Sequence, residues 1–245
     1  MKIHFAMTCA ISLIIGNAVG VDAANPVTAP TLFSLLVPGQ SLPKNFRIVT
    51  IPKIAVNRFS LETSDGSTVL RVDSNISAGS VAISQSAIVA GANSQLAWRW
   101  KISHVLDKAD MTTKSGDDFS ARVYVFFDVP MASLSFIERS RIRLARMLAG
   151  ADVPTAALCY VWDNRQPVGH TQWSPYTDRV RMIVLQSGPA NAGKWIPESR
   201  DLNADFRAAF GFDAPAVTGV AVGNDTDNTQ ERVSTWYGDV VLKTE

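Results

Sequence analysis

Beyond residue 45, apolar and polar residues alternate with a period of two along most of the chain, as in half-buried strands. In "LAWRWKI" the alternation sets Leu96, Trp98, Trp100 and Ile102 on one face and Arg99 and Lys101 on the other. "FSARVYVFFD" sets Ala121, Val123, Val125 and Phe127 against Arg122, Tyr124, Phe126 and Asp128. "RFSLETSDGSTVLRVDS" alternates on both sides of Asp65-Gly66, a dipeptide suited to a two-residue hairpin turn. "SVAISQSAIV", "ALCYVW", "DRVRMIVLQSG", "VTGVAVGND" and "WYGDVVLK" complete the predicted strands.

Two stretches follow a helical period instead. Ser135 and Glu138 form a capping box that opens a helix over "SFIERSRIRLARMLAG", closed by Gly150, with Leu134, Ile137, Leu144 and Leu148 on one stripe. "NADFRAAFG" predicts a short helix with Phe206 and Phe210 one turn apart and Gly211 ending it. The expected fold is all-β: a two-sheet jelly-roll sandwich with one inserted amphipathic helix and a short second helix. Without an internal repeat or a linker, residues 46–245 read as a single domain.

The N-terminal end differs. Lys2 precedes an apolar run from Phe5 to Ile15, then small residues, the pattern of a leader cut after Ala23, with Gly20 a competing site. The run is shorter than the ~20 residues a membrane span needs. Residues 24–45, rich in Pro, Ala and Ser, read as a tether. The mature chain is expected in the periplasm or outside the cell through a Sec-type signal, with no transmembrane segment once the leader is removed. With the leader gone, Cys159 is the remaining cysteine, so no internal disulfide can form. Its setting in "AALCYVW" suits a buried, inert thiol. Lys and Arg total 23 against 22 Asp and Glu, a balance that argues against a nucleic-acid partner.

The ordered motifs "LAWRWKI", "KSGDDFSARVYVFFD", "LCYVWDN", "WIPESRDLNADFRAAFG" and "GVAVGNDTDNTQERVSTWYGDV" resemble the bacterial family known as domain of unknown function 3047, over residues 46 to 244. The resemblance implies an exported jelly-roll sandwich similar to galactose-binding-like domains. It implies no activity and no catalytic residues. At Gly223 and Asn224 the chain departs from the bulkier or hydroxyl residues expected there.

Asp225 and Asp227, with Asn228 and Thr229, offer hard oxygens that calcium accepts; an Asx-type turn before the last strand is the plainer reading. Asp117 and Asp118 are paired carboxylates with Arg122 four residues beyond the second. Glu198 and Asp201 lie beside Arg200 and Asp205, either as an ion-pair network holding the short helix or as a glycosidase pair. Opposite the core faces, the alternation assigns Arg99 with Lys101, Arg122 with Tyr124, Tyr160 with Trp162, and Arg179 with Arg181. Cations interleaved with aromatics suit acidic sugars, which makes Arg122, Tyr124, Trp162 and Arg181 the candidate ligand residues. Phe126, Leu158, Ile183 and Leu185 would share that face, with the helix at 134–149 as its cover.

The function expected is a non-catalytic module for a carbohydrate or other envelope ligand, with calcium as the candidate cofactor. The alternative is a polysaccharide hydrolase or lyase using Asp117, Asp118, Glu198 or Asp201; a structural partner of an envelope complex is a third reading. The sequence leaves the oligomeric state open.

Overall fold

The computed structural model describes residues 29–89, 94–149 and 154–243. The leader (1–23), the start of the tether and Gly150 lie outside the described residues. In chain order the strands are β1 (Ala29–Thr31), β2 (Phe46–Val49), β3 (Ala55–Val56), β4 (Arg58–Ser64), β5 (Ser67–Asn75), β6 (Ser77–Val89), β7 (Gln95–Ile102) and β8 (Ala121–Phe127). After helix α1 (Phe136–Ala149) come β9 (Ala156–Asp163), β10 (Thr171–Ser174), β11 (Thr177–Ser187) and β12 (Ile196–Asp201). Helix α2 (Leu202–Phe210) then leads to β13 (Ala216–Asp225), β14 (Arg232–Tyr237) and β15 (Val240–Lys243).

The strands form the expected two-sheet jelly-roll sandwich. One sheet runs β1-β15-β7-β14-β5-β4 with β12 on the other edge of β7; the second runs β10-β11-β9-β8-β13-β6-β2, with β3 against β6. Between the sheets, Leu96, Trp98, Trp100 and Ile102 meet Val123, Val125 and Phe127, the faces that the alternation predicts. An aromatic ladder crosses this interior: Trp98 lies 5.3 Å from Tyr160, and Trp100 lies 5.9 Å from Trp162, between ring centroids. Such pairs contribute about 0.5–1.5 kcal/mol beyond the area they bury.

The turn chemistry holds. Asp65 and Gly66 both take positive φ in the β4–β5 hairpin. Ser135 and Glu138 exchange capping bonds, at 2.8 Å to Glu138 Oε2 and 3.2 Å to Ser135 Oγ. Gly211 ends α2 in the left-handed conformation, its N–H donating to the Arg207 carbonyl. Predicted as one strand, "WYGDVVLK" is two, broken at Gly238-Asp239.

Two expectations are corrected. The tether is not free in its described part: β1 pairs with β15, Phe33 is fully buried in the core, and Ser34 bonds the Asp239 carboxylate. Nor do the four candidate ligand residues share a face. Cross-strand partners point the same way, and Trp162 is opposite Ala121 while Arg181 is opposite Leu158 and, through it, Val125. Trp162 and Arg181 therefore belong to the inner side of their sheet, Arg122 and Tyr124 to the outer. That outer side is covered by Met111 and Phe119 from the β7–β8 loop, not by α1. Helix α1 instead adds Ile142 to the inner core, beside Leu134 from the turn ahead of it.

Candidate functional site

Three groupings of polar and aromatic side chains stand out. The first is a carboxylate nest. Gly116 packs so closely on the Asp110 backbone that an added Cβ would lie 2.8 Å from the Asp110 nitrogen. This close approach, with Gly116 O accepting from both Asp110 N and Asp118 N, aims Asp117 and Asp118 at the start of β8. The β8–β13 register sets Arg122 against Gly223, which carries Asp225 to the same place from the other loop.

Arg122, only 6 % exposed, spends its guanidinium there. Its Nε donates to Asp225 Oδ1 at 2.9 Å, its Nη2 lies 2.5 Å from Asp225 Oδ2, and its Nη1 donates to the Tyr124 hydroxyl at 2.9 Å. Asp118 accepts from Asn228 Nδ2 at 3.2 Å and from the Thr229 N–H at 2.6 Å. One oxygen each of Asp118, Asp225 and Asp227 lie within 4.8 Å of one another, a cluster that can hold a metal ion. Burial, with Asp118 and Asp227 close by, pushes Asp117 up to about 6 against the pull of Arg122. Asp227 is raised too, by burial and then by Asp118. Below the nest, burial drives the Cys159 thiol up to about 12, which makes it inert at neutral pH.

The second grouping is the outer face of the other sheet. Arg99 and Lys101 lie over Trp195 at 4.6 and 5.1 Å, and Lys101 and Arg71 over Trp236 at 4.6 and 5.3 Å. Arg71 is tied to Asp73 and Glu62, whereas Arg99 and Lys101 have no carboxylate partner among the described residues. The side chain of Arg99 crosses Gly238, where an added Cβ would lie 2.6 Å from Arg99 Cγ.

The third is a cleft of about 600 Å³ between the N-terminal end of α1, the C-terminal end of α2 and the β10–β11 hairpin. Trp173, Phe210 and Phe212 supply its aromatic walls; Glu138, Asp178, Asp213 and Arg179 supply its charge. Phe206 stacks on Phe210 at 4.4 Å, and Trp173 meets Phe210 edge-on at 5.3 Å. The turn carrying Phe212 is held by the Ala214 N–H donating to Asn203 Oδ1 and by the Arg207–Asp213 pair, leaving Phe212 44 % exposed. Arg179 pairs with Glu138 at 3.0 Å and donates to the Thr155 carbonyl at 2.6 Å, and its Nη2 has no hydrogen-bond partner. Arg181 lies over Trp173 at 5.0 Å.

Of the predicted ligand residues, Trp162 is 1 % exposed and bonds the Gly188 carbonyl, and Arg122 and Tyr124 are sealed beneath the β7–β8 loop. Arg122 and Tyr124 line a narrow space of about 20 Å³, and Arg181 adjoins the aromatic cleft through Trp173. The paired carboxylates are dispersed as well. Asp117 and Asp118 join the nest, Asp201 caps α2 through the Ala204 N–H, and Glu198 accepts from Gln186 at 2.9 Å and Trp100 at 3.3 Å. Burial raises the Glu198 carboxyl, with those two bonds opposing. Arg200 grips Asp205, which also accepts from the Tyr160 hydroxyl, so of the expected network the Arg200–Asp205 pair fastens α2 to the sandwich, while Glu198 and Asp201 take other partners. Trp173 and Phe212 were not singled out from sequence. The available signal was an aromatic residue in each of two polar, turn-rich stretches, "HTQWSPY" and "GFDAP".

The model of the family described as "Protein of unknown function (DUF3047)" matches residues 44–241. No curated protein matches. Solved structures of similar shape include a family 29 carbohydrate-binding module in complex with mannohexaose, 9 % identical, with TM-score 0.40 over 90 % of this chain and 94 % of that one. Another is an endoglucanase of Rhodothermus marinus, 10 % identical, TM-score 0.42, over 81 % and 92 %. The Emp47p carbohydrate recognition domain is 13 % identical, TM-score 0.43, over 92 % and 99 %. Among the described residues no helix is long and apolar enough to cross a membrane.

Proposed function

This chain belongs to the DUF3047 family, and we propose that it is an exported, non-catalytic saccharide-binding sandwich whose ligand sits in the cleft beside α2. The observation that carries this reading is the cleft's lining: three aromatic rings around a 600 Å³ space, with three carboxylates against one guanidinium. That volume lies in the usual range for small-ligand sites, about 300–1,000 Å³. Aromatic rings stack on the apolar faces of sugar rings, and carboxylates accept from vicinal hydroxyls. The cleft's charges offset one another, Arg179 against Glu138 and Arg207 against Asp213, so the ligand in this reading is a neutral saccharide. The acidic-sugar expectation gives way because Arg122 is buried against Asp225 and Trp162 lies in the core, and recognition moves from Arg122, Tyr124 and Trp162 to Trp173, Phe210 and Phe212. Export to the periplasm through the leader at 1–23 is part of the same proposal.

Calorimetric titration with neutral and uronate-containing oligosaccharides tests it. Binding is expected from a neutral sugar, with Trp173→Ala weakening it about tenfold, the loss of one stacking contact of about 1.4 kcal/mol. Absence of heat from every neutral sugar, or undiminished binding by Trp173→Ala, would refute it.

A further inference from the structure

We propose that the carboxylate nest is a calcium site, with carboxylate oxygens of Asp118, Asp225 and Asp227 as its central ligands and with Asp117 and the Thr229 hydroxyl beside them to complete the shell. An acidic cluster alone is weak ground, because exposed carboxylates gather on many surfaces. Here two side chains are buried with an unused oxygen. Asp117 is 6 % exposed, and its Oδ1 has no hydrogen-bond partner; Arg122 Nη2 stands off at 3.8 Å. Thr229 is 5 % exposed, its Oγ1 is likewise unpartnered, and its own N–H bonds Asp118, which places it in the nest. Asp227 Oδ1 is a third unpartnered oxygen. Buried polar atoms in native proteins nearly always find a partner. Unmatched buried acceptors beside a three-carboxylate cluster suit a bound cation.

Charge leads to the same place. Four carboxylates face two cations, the Arg122 guanidinium and the Lys108 ammonium that donates to the Thr229 carbonyl, which leaves net negative charge. The donor set is all hard oxygen, without imidazole or thiolate, which suits calcium's irregular shell of six to eight oxygens rather than zinc. Magnesium's near-octahedral demand fits less well with carboxylates already fixed by Arg122, Asn228 and backbone amides. The ion would bridge the β7–β8 loop to the β13–β14 loop, adding to the bonds that Asn228 and Thr229 already donate to Asp118 and offsetting the repulsion among the carboxylates.

The test uses protein stripped with a chelator and titrated with CaCl2, MgCl2 or ZnCl2, by calorimetry and by thermal unfolding. Calcium is expected to bind with one equivalent and to raise the unfolding midpoint, since a ligand selective for the folded state stabilises it. Asp227→Asn and Thr229→Val remove oxygens that hold no hydrogen bond, so both variants are expected to fold; each should weaken calcium binding about tenfold or more. A chelator-treated protein that shows neither heat nor a shifted midpoint with calcium overturns the proposal. So does calcium binding that both variants leave unchanged, or a site that takes zinc in preference.

Discussion

Replacing Tyr237 by Phe removes a single oxygen from the seam between the two sheets. Tyr237 belongs to β14, yet its hydroxyl donates to the Gly223 carbonyl at 2.6 Å and accepts from the Arg122 N–H at 3.0 Å, both on the facing sheet. The ring is fully buried, so water does not replace the hydroxyl, and the phenyl that remains keeps the packing intact. The variant therefore isolates the polar loss. An orphaned buried N–H costs about 1–3 kcal/mol, and the carbonyl's lost bond adds about 1 kcal/mol. The expected destabilisation is about 2–4 kcal/mol, which for a domain of this size lowers the melting midpoint by about 5–15 °C. Urea unfolding followed by tryptophan fluorescence measures it, with Tyr176→Phe as the control: that hydroxyl bonds only the exposed Lys114 carbonyl, and its loss should cost under about 0.5 kcal/mol. If Tyr237→Phe were as mild as its control, the hydroxyl would not be the link between the sheets.

Gly223→Ala should be far worse, because the added methyl would run into the Gly79 carbonyl oxygen and the Ser80 side chain on β6. A loss of about 3 kcal/mol or more, or an insoluble protein, is expected; a soluble variant with native circular dichroism and stability contradicts the close approach. Glu198→Gln keeps the acceptor for Gln186 and Trp100 but abolishes the charge. Because burial raises the folded-state pKa of Glu198, the folded protein binds that proton more tightly than the unfolded chain does. Stability should then fall as pH rises from the ordinary glutamate value, about 4.3, through the raised one, and level off above it. Denaturation midpoints across that window should decline less in the variant than in the wild type; equal slopes would show that Glu198 contributes nothing.

The strands at 96–102 and 121–127 were legible because one face of each carries charge, so the period of two survives in the residue types. The capping box at Ser135 and Glu138 and the closing Gly211 were legible because a helix end needs local partners. Trp162 was not. Every residue of β9 is buried, on one side against the other sheet and on the other beneath the β7–β8 loop, so apolar residues fill both faces and the parity vanishes. Arg181 failed for a related reason: β11 runs parallel to β9, so no tight turn carries the parity from one strand to the next. The departure at Gly223 and Asn224 also makes sense only in three dimensions. Gly223 has β6 pressed against it, and the buried Asn224 side chain bonds the Val72 carbonyl and Thr235 hydroxyl across the sandwich.

From its residues alone this chain had to be a two-sheet sandwich with two capped helices, since alternation, turn dipeptides and caps are local and act within a few bonds of one another. What lies where was decided by pairing between distant segments. The β8–β13 register brings Asp117 and Asp118 to Asp227 and Thr229, and the packing of α2 on β10 and β11 makes the aromatic cleft. Neither is written in any short stretch, because charge repulsion, burial and ring stacking depend on distances that only the folded chain sets.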